Sequence, residues 1–113
     1  MGNIFPFNSS FSAEKLNSIR GEAQLIVVAK MENNNVVVPN LEIDLAQQPG
    51  QPPAGGVVIT DQNGVAEFNV KPGSYFLYFN QNTFPKNLKM PEPEQIIVED
   101  GIINEKTILL NIK

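Results

Sequence analysis

The side chains able to do chemistry are few, and what is missing narrows them further. The chain has 113 residues, with no histidine and no cysteine. That removes the commonest general base, the usual nucleophile–base pairs and any imidazole or thiolate metal site. Twelve Asp and Glu remain, against eight Lys and Arg. Glu92, Glu94, Glu99 and Asp100 lie close in sequence, but they spread over a loop and a strand end. A glycosidase pair needs two carboxyls held across a pocket, and nothing in this stretch signals one. Asp61-x-Asn63-Gly64 offers oxygen ligands, yet a calcium loop needs more acidic positions at regular spacing and a bidentate Glu. It reads as a turn. No glycine-rich phosphate loop is present. No catalytic residue, metal site or cofactor is expected.

Charge and hydropathy exclude further classes. The net charge is −4 with no cluster of Lys or Arg, whereas phosphate binding needs a basic face, so nucleic acid is not an expected partner. No apolar run approaches the roughly 20 residues of a membrane span. "MGNIFPFNSSFSAEKL" lacks a basic region followed by an apolar one, so no secretory signal is read and cytoplasmic synthesis is expected, with incorporation into a particle as one destination. Gly2 suits myristoylation, but Pro6 stands where Ser or Thr belongs. Without cysteine, the redox compartment stays open.

The elements divide the chain into an N-terminal arm, residues 1–20, and a β-domain, residues 21–113. In the arm, Phe5, Phe7 and Phe11 sit in a polar, Pro-containing segment. "SAEKLNSIR" then predicts a short helix capped by Ser12 and stopped by Gly21, with Leu16 and Ile19 on one face. Three aromatics outside any strand pattern must be covered, either by the chain's own sandwich or by a partner.

From Gly21 onward short strands alternate with turn residues. "AQLIVVAKM" is apolar almost throughout. In "LEIDLA", Leu41, Ile43 and Leu45 should point inward, and Glu42, Asp44 and Ala46 outward. "QQPGQPPAGG" is a loop and "VVIT" a third strand. "TDQNGVAEFNVKPGSYFLYF" reads as a hairpin with turns at Asn63-Gly64 and Lys71-Pro72-Gly73. Tyr75, Leu77 and Phe79 face the core in this reading, with Phe76 and Tyr78 on the opposite side. The 81–93 loop, carrying Phe84, precedes two last strands expected to pair across Asp100-Gly101. About seven strands at this spacing argue for a two-sheet sandwich.

Thr60, Asp61, Gly64, Phe68, Pro72, Gly73, Tyr75 and Leu77 resemble the Thr-Asp-x-x-Gly and Pro-Gly-x-Tyr-x-Leu pattern of the carboxypeptidase regulatory-like, prealbumin-like and Cna-B-like sandwiches. "VVVPNLEIDL" resembles their earlier turn and second strand. The resemblance spans residues 21–112 and implies an all-β, Ig-like or prealbumin-like sandwich of the sort used in spacers, adhesin stalks and assembly modules. It also raises an internal Lys–Asn isopeptide bond, with Lys30 at the end of the first strand and Asn111 in the last. The family's assisting Glu, however, falls at Phe79. Alternation of Ile108, Leu110 and Ile112 inward turns Asn111 outward, so no bond is expected.

The reading is a non-catalytic module that decorates or bridges a larger assembly, such as a phage or virus particle or a contractile-tail-like machine. Its partners would be other subunits or further copies of itself, held through the arm. Phe76 and Tyr78 either form a recognition surface or lie under the arm or the Phe84 loop. The second reading is a cell-surface or periplasmic adhesion module binding carbohydrate through Phe76, Tyr78 and the 81–93 loop.

Overall fold

A computed structural model describes residues 21–49 and 52–113. The arm and its expected helix lie outside the described residues. Among the described residues the regular elements are β1 (Ala23–Met31), β2 (Glu42–Ala46), β3 (Gly56–Ile59), β4 (Val65–Val70), β5 (Gly73–Tyr78), β6 (Leu88–Lys89), β7 (Glu94–Val98) and β8 (Ile103–Ile112). They form two four-stranded sheets. Sheet I has the order β4-β1-β8-β6 and sheet II the order β3-β2-β5-β7. The architecture is the all-β, two-sheet sandwich expected, with the two-residue β6 added inside the stretch read as a loop.

Period-two alternation builds the core. Ala23, Leu25, Val27 and Ala29 of β1 are buried, as are Ala66, Phe68 and Val70 of β4. They meet Ile43 and Leu45 of β2, Tyr75 and Leu77 of β5, and Ile108 and Leu110 of β8. Ile112 was expected inward with that last pair, but it is 66% exposed. Among the described residues its ladder partner is Leu88 of the short β6.

The connections depart from the sequence reading. β3, β4 and β5 do not form a hairpin, because β4 pairs with β1 in sheet I while β3 and β5 both pair with β2 in sheet II. Likewise β7 and β8 are not partners across Asp100-Gly101. β7 pairs with β5, and β8 runs parallel to β1 from Gln24↔Ile103 to Met31↔Leu110. The turns were located correctly, but each carries the chain from one sheet to the other. Every strand in these pairs has one apolar face, and crossing between sheets lets consecutive strands bury theirs against each other.

The Thr-Asp-x-x-Gly stretch makes one of these crossings. Thr60 is almost fully buried. Its hydroxyl accepts from Leu41 N–H at 2.9 Å and donates to the Val38 carbonyl at 2.7 Å. Asp61 Oδ1 accepts from the N–H groups of Asn63 and Val65. Gly64 has φ of +74°, and a Cβ there would lie 2.6 Å from the Ala29 carbonyl oxygen. Only glycine allows both the turn and this approach to β1. At the β7–β8 crossing, Asn104 does similar work: its Nδ2 donates to the Gln24 and Glu99 carbonyls, and its Oδ1 accepts from Glu99 N–H. Lys106 and Glu94 add an ion pair between the two strands.

Candidate binding surface

Sheet II turns one face to the core and the other away from it. On the outer face the ladder sets Tyr78 beside Asp44 and Phe76 beside Ala46. It adds Val57 next to Asp44, Ile59 next to Glu42, and Ile97 next to Ser74. Val57, Ile59 and Ile97 are 49%, 60% and 60% exposed, while Phe76 and Tyr78 are half-buried. The result is an apolar face with an aromatic centre, a surface of the kind proteins use for recognition.

Two residues of this face differ from the sequence reading. Ala46 and Asp44 were expected to point into solvent, yet Ala46 is fully buried and Asp44 is 6% exposed. They do lie on the outer side of the sheet, but that side is covered at this point. A cleft of about 380 Å³ lies over Asp44 and Tyr78, walled by Pro49 from the loop after β2 and by Met90, Pro91 and Pro93 from the segment between β6 and β7.

The electrostatics follow from that cover. Burial, then a side-chain hydrogen bond to Glu42, then the Glu42 charge push the Asp44 carboxyl from 3.8 up to about 7. Two carboxyl groups bond to each other only when one of them carries a proton. Among the described residues Asp44 Oδ1 has no hydrogen-bond partner. Tyr78 is also raised, by burial first and then by the charges of Asp44 and Glu42.

The other residues singled out from sequence fall in different places. Phe84 is buried, with its ring edge-on to Phe79 at 5.3 Å between centroids, so it belongs to the core rather than to the outer face. Phe5, Phe7, Phe11, Leu16 and Ile19 lie outside the described residues. Asn111 is exposed and its Nδ2 donates to Glu32 Oε1 at 2.9 Å; Lys30 pairs with Leu109; and Phe79 is buried in the core. Tyr75 hydroxyl donates to the Lys71 carbonyl at 2.6 Å and so pins the Pro72-Gly73 turn. Among the described residues no group of three acidic side chains could hold a metal ion. Sequence reasoning missed Asp44. Alternation put it on the correct side of the sheet, and no local signal says that a loop more than forty residues later folds over it.

No family model matches the chain, and no curated protein matches it in sequence. Solved structures do match in fold. The TIE protein of Bacillus anthracis superposes with a TM-score of 0.67 at 20% identity, over 80% of this chain and 17% of its own. The group B streptococcus pilus 2b backbone protein gives 0.66 at 13% identity, over 80% of this chain and 41% of its own. BcpA, the major pilin subunit of Bacillus cereus, gives 0.65 at 15% identity, over 81% and 30%. The chain therefore spans less than half the length of each of these proteins. At such identities the likeness is one of fold: the chain and these proteins share a two-sheet β-sandwich.

Proposed function

We propose that the chain is a non-catalytic structural module that decorates or bridges a larger protein assembly. Its contacts are the N-terminal arm and the outer face of sheet II. The observation that carries this reading is that face: Phe76 and Tyr78 at its centre, with Val57, Ile59 and Ile97 open around them. The likeness to pilin subunits supports the coarser statement of a protein-binding building block. The finer assignment, to a phage or virus particle or a contractile-tail-like machine, rests on the arm-bearing design. Glu22, where the arm joins, lies at the end of the sandwich beside Gln47 and Gly73. That is the end where β2 finishes and β5 begins.

Capture from native lysate tests the reading. Full-length chain should retain components of a large particle, and a chain lacking residues 1–20 should lose them. If both versions run as monomers and capture nothing, the assembly reading falls. A second reading shares the same face, because half-buried aromatics beside a cleft also suit sugar stacking in an adhesion module. In that case Phe76→Ala with Tyr78→Ala removes signal on a glycan array and leaves the oligomeric state unchanged.

A further inference from the structure

We propose that the cleft over Asp44 is a binding site for an alkylammonium group, presented as a lysine side chain by a partner polypeptide. This rests on the reading of the outer face as a protein-interaction surface and names the chemistry that surface recognises.

The argument starts from the buried oxygen. Asp44 is more than nine-tenths buried, and its Oδ1 has no hydrogen-bond partner among the described residues. A buried acceptor left unpaired costs about 1–3 kcal/mol, so a fold that keeps one gains by receiving a donor from outside. Asp44 lines a cleft of about 380 Å³, room for a single long side chain. Its walls are Pro49, Met90, Pro91, Pro93 and the Tyr78 ring, which suit a methylene stem, while the acid below suits a cation. Beside Asp44 lies the Glu42 carboxyl, whose side-chain hydrogen bond and charge add to burial in raising Asp44's tendency to hold a proton. A cation entering the cleft replaces that proton as the compensating charge.

The choice of ammonium over guanidinium comes from the count of acceptors. The other Asp44 oxygen is the one turned to Glu42, which leaves Oδ1 as the single unpartnered acceptor among the described residues. A guanidinium fork is best matched by two parallel acceptors, whereas an ammonium is a compact charge that needs one.

The test uses the full-length chain with isotope-labelled methionine methyls. It is titrated with a short capped peptide carrying one lysine, and with the same peptide carrying norleucine or arginine in its place. The Met90 methyl should shift saturably with the lysine peptide and bind it about tenfold or more tighter than the norleucine peptide. Asp44→Asn should abolish that preference. Affinity for the lysine peptide should fall about tenfold from pH 8 to pH 6, as Asp44 takes up its proton while lysine stays charged; Glu42 and Tyr78 are the titratable groups beside it. Equal binding of the norleucine peptide, equal binding of the arginine peptide, or no saturable shift would overturn the assignment. Binding that emerges only after Lys15→Ala with Arg20→Ala would show that the arm fills the site itself, and would overturn the partner version. Failure here, with capture by full-length chain intact, removes the lysine inference and leaves the assembly reading standing.

Discussion

Thr60 and Asp44 are both polar, both more than nine-tenths buried and both on sheet II's side of the sandwich, yet the protein treats them oppositely. Thr60 has its hydroxyl fully used, donating to Val38 and accepting from Leu41. Asp44 keeps one oxygen without a partner among the described residues, and burial and the neighbouring Glu42 push its carboxyl up. A satisfied buried polar group specifies a fold, because every other arrangement would leave its partners unpaired. An unsatisfied one weakens the fold and so calls for a role that offsets its cost. The crossing at Thr60 is architecture, and the cleft at Asp44 is the candidate for recognition.

Substitutions can break or sharpen that contrast. The largest effect is expected at the crossing itself. Gly64→Ala puts a Cβ against the Ala29 carbonyl at a positive φ, and should cost about 3 kcal/mol or more in urea unfolding. A loss under about 1 kcal/mol would mean the crossing moves freely, contrary to its hydrogen bonding. Thr60→Val keeps the shape but strands Leu41 N–H and the Val38 carbonyl, for an expected loss of about 2 kcal/mol.

Asp44→Asn should act with the opposite sign. The folded carboxyl sits near 7 rather than 3.8, so the folded state keeps a proton that the unfolded chain releases. Stability from this group is full below the ordinary value, falls as pH rises toward about 7 and is flat above. The variant should match the native chain near pH 4 and exceed its stability by about 2 kcal/mol near pH 8. A pH-independent difference, or a loss at high pH, would mean that Asp44 is not carrying this strain. Smallest in stability is Phe76→Ala with Tyr78→Ala. On a half-exposed face it should cost under about 1.5 kcal/mol in thermal unfolding, while capture of partner protein is lost.

The parts of the molecule legible in the sequence were the local ones. Ala66, Phe68 and Val70 alternate with Val65, Glu67 and Asn69 strongly enough to assign face as well as strand, whereas the apolar run of β1 marks a strand but no face. Asn63-Gly64 and Pro72-Gly73 place the turns because only certain residues tolerate those backbone angles. The candidate site was legible by half. Phe76 and Tyr78 were read as a face, but Asp44 was read as solvated and Phe84 as part of a surface loop, because burial of both depends on segments distant in sequence.

Composition also removed whole chemistries before any fold was drawn: without His or Cys, no histidine- or thiolate-based site can form. What the sequence could not determine was pairing. Backbone N–H and C=O groups are the same at every strand residue, so an isolated strand carries no mark of its partner. The choice is made when faces are buried together. Joining β3, β4 and β5 by crossings rather than as a hairpin, running β8 parallel to β1, and folding Met90, Pro91 and Pro93 over Asp44 were all decided at that stage, by the tertiary structure alone.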